Sequence, residues 1–169
     1  MAESTVAYIF GISYIKHNIY IMYTGVLLTL IGQYIRTKSM LTCGSNFTHI
    51  ISQSRSQSHQ LITHGLYSVV RHPGYTGWFI LSISQQILLC NPLCLVAYTY
   101  MNYQFFHSRI IYEELKLFEF FGVEYEKYWY NVPYSGVPFV NTDNILNQDI
   151  HGNNIESDEI GDNEIKYDQ

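Results

Sequence analysis

The chain has 169 residues, 47% of them hydrophobic and 14% charged, and its formal net charge is −5. This length predicts one domain. The sequence contains no basic patch typical of a nucleic-acid-binding protein, and its three cysteines (Cys43, Cys90 and Cys94) are not spaced as zinc ligands.

Two long runs without Asp, Glu, Lys or Arg cover residues 18–35 and 75–106. Uncharged runs of this length are typical of membrane spans. In the first run, Gly25 and Gly32 would allow a second helix to approach closely. Residues 5–15 are also apolar, but about 16 Å of helix is too short to cross a bilayer. We therefore expect one or two transmembrane helices before residue 40.

Asn91 and Pro92 interrupt the second run. Asn is a good N-cap and Pro suits the first helical position, so the sequence predicts a helical hairpin with its turn at Asn91. The second helix has no breaker before Gly122, which is expected to end it. Its length of about 30 residues, roughly 45 Å, exceeds the bilayer core, so it should leave the membrane near His107. A short helix over residues 123–131 follows.

This hairpin would bring His72 and Arg109 to the same membrane face. The positive-inside rule makes that face cytoplasmic because basic residues gather there. They are Arg36, Lys38, Arg55, Arg71, Arg109, Lys116 and Lys127. The predicted fold is thus an all-α, polytopic integral membrane protein, with a helical hairpin, one or two preceding transmembrane helices and a cytosolic-face pocket.

The last 29 residues have a different composition. Residues 141–169 contain eight acidic residues against Lys166, and Tyr167 is their one aromatic residue. Such a segment cannot bury enough apolar area to offset the entropy of ordering it. We expect a core over residues 1–140 and an acidic disordered tail over residues 141–169.

Two pairs of polar residues border the uncharged runs. Arg71 and His72 directly precede the second run, and Arg109 and Glu113 are one helical turn apart on the same face. The first pair is either an ordinary interfacial flank or part of a polar site. The second is either an i,i+4 ion pair or a ligand-binding pair. Spacing alone indicates no reaction.

Several segments, in their order and spacing within residues 44–140, resemble the isoprenylcysteine carboxyl methyltransferases. They are "GSNFTH", "HQLITHGLYSVVRHPGYTGWF", "LCNPLC", "RIIYEELKLFEFFGVEYEKYWYNVP" and "GVPF". The resemblance implies a membrane methyltransferase core that is short at its N-terminal end relative to the family. It implies S-adenosylmethionine as cofactor and the prenylated C-terminal cysteine of CaaX-processed proteins as substrate. It also implies an active site on the cytosolic side of the endoplasmic reticulum membrane, and neither a metal nor a nucleic acid as partner.

The resemblance also implies roles for individual residues. Arg109 matches the catalytic position that holds the substrate carboxylate. Such a carboxylate is already ionised, so methyl transfer needs in-line positioning rather than a general base, and a guanidinium fork can fix it without protonating it. Cofactor contacts are implied at His59, Gln60, Leu61, Ile62, Tyr67, His72, Pro73, Gly74, Tyr75 and Glu113.

Three alternatives remain open at this stage. Membrane sterol reductases, which use NADPH, share "HPGY" and "EYEKYWYNVPY", although "RIIYEEL" fits the methyltransferases better. A phospholipid-methylating enzyme is the second alternative. The third is a truncated, inactive membrane subunit.

Overall fold

The computed structural model describes residues 18–44, 60–140 and 142. Their regular structure is helical, in agreement with the predicted all-α class. The α-helices are α1 (Ile19–Cys43), α2 (Pro73–Leu88), α3 (Pro92–Phe121) and α4 (Val123–Asn131), and a 3₁₀ turn covers Gly65–Ser68. Residues 5–15, Arg55 and residues 143–169, for which the sequence also gave predictions, lie outside the described residues.

The helix ends follow local rules that the sequence makes visible. The Asn91 side chain accepts a hydrogen bond from the backbone N–H of Cys94 at 3.2 Å, which caps α3 directly before Pro92. Gly122, at φ 51°, ends the same helix, and its N–H donates to the carbonyl of Phe118. These observations confirm the predicted turn at Asn91 and the predicted end of α3. Helix α1 runs eight residues beyond the uncharged run, because no breaker precedes Gly44.

Helices α1 and α2 pack antiparallel through glycine. Gly25, near the start of α1, faces Leu88 at the end of α2, and Gly32 faces Gly77. A Cβ atom on Gly77 would lie 2.6 Å from the backbone nitrogen of Arg36 and 2.8 Å from the carbonyl oxygen of Gly32. Backbone atoms cannot move aside as a side chain can, so this close approach requires the glycine.

The chain after α4 folds back over the start of α2. The backbone N–H groups of Arg71 and His72 donate to the carbonyls of Tyr134 and Ser135 at 3.0 and 2.9 Å. Val137 and Val140 of this segment pack with buried residues of α3. One end of the bundle therefore brings together the start of α2, the second half of α3 and residues 132–142.

Across the described ranges, no helix is both long enough and apolar enough to cross a lipid bilayer.

We expect Gly77→Ala to lower the stability of the protein by about 1–3 kcal/mol, because the added methyl group meets backbone atoms. This loss should occur although alanine favours a helix by about 1 kcal/mol over glycine. Gly25→Ala is the comparison, since its added Cβ would meet the Leu88 side chain at 2.7 Å and backbone only at 3.2 Å, and should therefore cost less than Gly77→Ala. Thermal unfolding of the detergent-purified protein, followed by circular dichroism, would compare the two. Equal effects would contradict the backbone contact.

Candidate active site

Arg71 and His72 are buried at the start of α2. Their relative exposures are 4% and 5%. An interfacial flank would leave both in contact with solvent, so the structure excludes that alternative for this pair. The cause is the segment after α4, which covers both residues and bonds to their backbone.

The Arg71 guanidinium makes three hydrogen bonds to three different parts of the chain. Its Nε donates to Glu114 Oε1 at 2.8 Å, and its terminal nitrogens donate to the carbonyl of Val132 at 2.7 Å and to Thr142 Oγ1 at 2.9 Å. The Trp129 ring centroid lies 5.1 Å from the guanidinium carbon. Each charged side chain of the Arg71–Glu114 pair is 1% exposed. The pair therefore joins the start of α2 to α3, to the end of α4 and to residue 142.

Glu114 Oε1 also lies 3.1 Å from His72 Nε2. Burial alone would raise the pKa of Glu114, but the hydrogen bonds and charges of His72 and Arg71 outweigh it and lower the pKa below its usual value. Glu114 is thus ionised at neutral pH. Its second oxygen and the buried Tyr125 hydroxyl have no hydrogen-bond partner among the described residues.

A second set of polar groups surrounds the Tyr75 hydroxyl. The hydroxyl accepts a hydrogen bond from Arg109 Nε at 2.8 Å and donates one to Glu113 Oε2. The ring of Tyr75 stacks on His72, with centroids 5.6 Å apart, and lies 5.3 Å from the Phe106 ring. The prediction that Arg109 and Glu113 share a helix face is confirmed. Tyr75, from α2, links them.

The Glu113 carboxylate is more accessible than that of Glu114. Its side chain is 29% exposed, and its Oε1 lies 3.9 Å from His72 Nδ1. Burial raises the pKa of Tyr67, and the neighbouring groups Cys43 and Glu113 raise it further. Tyr67 therefore shares the electrostatic surroundings of Glu113, although it lies on the 3₁₀ turn before α2.

The other residues with predicted cofactor roles have different surroundings. Gln60, Leu61 and Ile62 form the irregular stretch before the 3₁₀ turn, and Leu61 packs against the aromatic cluster of α4. Pro73 is buried and Gly74 is half-buried in the first turn of α2. His59 lies outside the described residues. Cofactor contact at these positions stays a prediction.

A model of the isoprenylcysteine carboxyl methyltransferase (ICMT) family matches residues 25–119, more than half of the chain. The chain belongs to this family. The resemblance seen in the sequence is thereby confirmed, and the family implies a methyl donor.

Relatives in this family include protein-S-isoprenylcysteine O-methyltransferases of animals, and a probable one of rice. The Xenopus laevis protein is 48% identical over 126 residues, which are 75% of this chain and 43% of that protein. The human protein is 42% identical, over 75% of this chain and 44% of that protein. The probable enzyme of Oryza sativa subsp. indica is 44% identical, over 75% of this chain and 65% of that protein. The chain thus spans less than two thirds of the length of these relatives.

A solved structure of the eukaryotic intramembrane Ras methyltransferase ICMT, determined without a monobody, has the same fold. The TM-score is 0.70 at 43% sequence identity, over 72% of this chain and 43% of that one. The ICMT family match includes Arg71, Tyr75, Arg109, Glu113 and Glu114, whereas α4 and residues 132–142 follow it.

Sequence reasoning did not predict the roles of Glu114 and Thr142. Phe106, Ile110 and Glu114, at a spacing of four, form the fully buried positions of α3. A glutamate on a buried helix stripe needs a cationic partner, and this signal could have indicated a buried pair. Thr142, at 2% exposure, lies two residues beyond the predicted core boundary at residue 140. We therefore propose that the core extends at least to Thr142.

We expect Glu114→Gln to destabilise the protein by about 3–5 kcal/mol at pH 7, because Arg71 would be left buried without a counter-charge. The folded-state pKa of Glu114 is lowered, so its contribution is complete above the unfolded pKa of about 4.3 and is lost as the pH falls through the folded value. Wild type should therefore lose stability more steeply than the variant below about pH 4.3.

Denaturant titrations from pH 7 to pH 3 would measure this difference. Glu119→Gln is the control on the same helix, because Glu119 pairs with Lys116 at the surface, where ion pairs contribute little. Parallel pH profiles for wild type and Glu114→Gln would contradict the buried ion pair.

Thr142→Val should lower the free energy of unfolding by about 1–3 kcal/mol. It removes the oxygen that accepts from Arg71 and, at 3.2 Å, from the Trp129 indole N–H. Thr24→Val, at an exposed threonine of α1, is the matched control.

A chain ending at residue 144 is expected to unfold at the wild-type temperature, whereas one ending at residue 140 should unfold at a lower temperature. Equal melting temperatures for chains ending at 140 and 144 would place the boundary back at residue 140.

Proposed function

We propose that this chain methylates the C-terminal carboxylate of prenylated cysteine in CaaX-processed proteins, with S-adenosylmethionine as methyl donor. Membership of the ICMT family supports the reaction class. The observation that carries the proposal is the hydrogen-bonded chain of Arg109, Tyr75 and Glu113. It places a cationic group, Arg109, for the anionic acceptor of the methyl group in the same site as an anionic group, Glu113, for the cationic methyl donor.

The residues near Glu113 fit S-adenosylmethionine. Glu113 offers a half-exposed carboxylate beside the Tyr75 and His72 rings, and carboxylates and aromatic faces both attract cations. Together with Gln60, Leu61, Ile62, Tyr67, Pro73 and Gly74, and with His59 from the sequence, these residues would hold the cofactor. When bound, the cofactor supplies a methyl group on a positively charged sulfur.

Arg109 is proposed to orient the acceptor. A prenylcysteine carboxylate is ionised at neutral pH, so the chain needs to place one of its oxygens in line with the methyl group and to exclude water. A guanidinium can hold the other carboxylate oxygen through its planar fork and keep the carboxylate ionised. The Arg71–Glu114 pair is proposed to fix His72, and through it the Tyr75 ring, at the base of the site.

We also propose that the helices lie in a membrane, with spans over residues 18–35, 75–90 and 92–106 and the site on the cytosolic face of the endoplasmic reticulum. Large apolar residues are exposed along α1 and the first half of α3, and a solved relative is described as intramembrane. They include Tyr20, Tyr23, Leu27, Leu30, Tyr34, Leu93, Val96 and Met101. A site at the lipid boundary would let a prenyl chain enter sideways.

The deciding experiment is methyl transfer from labelled S-adenosylmethionine to N-acetyl-farnesylcysteine, in membranes that contain the full chain. Base-labile methyl ester on the acceptor would support the proposal. Label in phospholipid, with none in the acceptor, would indicate a lipid methyltransferase. No product with either acceptor, from a chain shown to be folded and inserted, would favour the inactive-subunit alternative.

We expect Arg109→Lys to lower methyl transfer by roughly two orders of magnitude, because lysine keeps the charge but loses the planar fork that positions the carboxylate. Binding of labelled S-adenosylmethionine should change little. The Arg109 guanidinium lies over the Tyr75 ring, 5.7 Å from its centroid. Arg36→Lys is the matched control, since the Arg36 guanidinium lies over the Trp78 ring, 3.8 Å from its centroid, but outside the site. Near-wild-type turnover in folded Arg109→Lys would contradict the role of Arg109.

A further inference from the structure

The Tyr75 hydroxyl is hydrogen-bonded to both Arg109 and Glu113. The proposed function assigns the acceptor carboxylate to Arg109 and the methyl donor to Glu113. We propose that Tyr75 is a positioning residue that orients Arg109 and couples the donor side of the site, at Glu113, to the acceptor side. This inference rests on the proposed function. It assigns to the Tyr75 hydroxyl a role beyond cofactor contact.

The position of the hydroxyl is fixed by parts of the molecule other than Arg109 and Glu113. Tyr75 lies in the first turn of α2, and its N–H donates to the His72 carbonyl at 3.1 Å. The next residue, Thr76, donates through its hydroxyl to the carbonyl of Gly136 at 2.9 Å. Because His72 and Phe106 pack against the ring, the ring is held independently of its polar partners.

A fixed hydroxyl sets the orientation of the Arg109 guanidinium. The hydrogen bond from Nε, at 2.8 Å, restricts rotation of the guanidinium plane about the side chain. The hydroxyl gives its own proton to Glu113, so its lone pairs point towards Arg109. A change of charge or position at Glu113 is therefore transmitted to the orientation of Arg109 through one shared oxygen.

Removing the hydroxyl has a specific consequence. Arg109 and Glu113 are one turn apart on α3, at the spacing at which arginine and glutamate pair directly. Without the tyrosine oxygen, the Glu113 carboxylate can take the Nε–H in its place and draw the guanidinium towards the donor side. Glu113 would then compete with the acceptor carboxylate for Arg109.

The test is a double-mutant cycle of Tyr75→Phe and Glu113→Gln in membranes containing the full chain. The KM for N-acetyl-farnesylcysteine is measured at saturating S-adenosylmethionine. Tyr75→Phe should raise this KM by about tenfold or more, since hydrogen bonds to charged groups contribute about that much, and should change the KM for the donor less. Tyr103→Phe is the matched control, because the Tyr103 hydroxyl donates to the Phe139 carbonyl at 3.3 Å, outside the site. The acceptor KM of this variant should stay at the wild-type value.

The decisive result is that the effect of Glu113→Gln on the acceptor KM changes sign between the two backgrounds. In the wild-type background, Glu113→Gln should raise the acceptor KM as well as the donor KM, because the partner of the hydroxyl is altered. In the Tyr75→Phe background, the same substitution should lower the acceptor KM, because the competing carboxylate is gone. A merely structural role of Tyr75 would give additive effects.

Additive effects in an active, folded set of variants would overturn this inference and leave the proposed function intact. If Tyr75→Phe does not fold, Glu113→Gln alone decides, and an unchanged acceptor KM in that variant would overturn the coupling. A folded wild type that methylates no prenylcysteine would overturn the proposed function, and this inference with it.

Discussion

The buried ion pair between Arg71 and Glu114 is the interaction on which the rest of the described structure depends. Two charges removed from water are more stable together when their other hydrogen-bonding positions are also satisfied. Here the Val132 carbonyl and the Thr142 hydroxyl accept from the guanidinium, and His72 shares Oε1 of Glu114, whose Oε2 has no partner among the described residues. The pair joins α2 to α3, and the other hydrogen bonds of Arg71 go to the segment after α4, so the complete set forms in one arrangement of these elements.

The consecutive residues Glu113 and Glu114 show how one helix separates two tasks. Successive side chains of an α-helix point about 100° apart. Glu114 consequently faces the interior and Arg71, whereas Glu113 faces the half-exposed side with Tyr75 and Arg109. His72 touches both systems, through its hydrogen bond to Glu114 and its stacking on Tyr75. The structural ion pair therefore supports the ring whose hydroxyl organises the candidate site.

Local sequence rules predict the helix ends and the shared helix face of the candidate site. They do not predict contacts between residues that are far apart in the sequence. The Asn91 cap, the helix end at Gly122 and the shared face of Arg109 and Glu113 each depend on residues within a few positions of one another. The Arg71–Glu114 pair joins residues 43 positions apart, and the Thr142 contact spans 71 positions. A segment that folds back over α2 carries no periodic signal, so Arg71 could not be distinguished from a surface flank. The apolar pattern and the family resemblance, by contrast, indicated the fold class and the reaction class.

Charge balance gives a physical reason for coupling the two sides of the site. Arg71 with Glu114, and Arg109 with Glu113, supply equal numbers of positive and negative side chains around the Tyr75 ring. On the proposed function, the donor brings one net positive charge and the acceptor carboxylate one negative charge. Either ligand alone would leave an uncompensated charge in poorly hydrated surroundings, where such a charge is costly. Both together restore neutrality, and a shared hydroxyl between Arg109 and Glu113 is the shortest route by which each side can respond to the other.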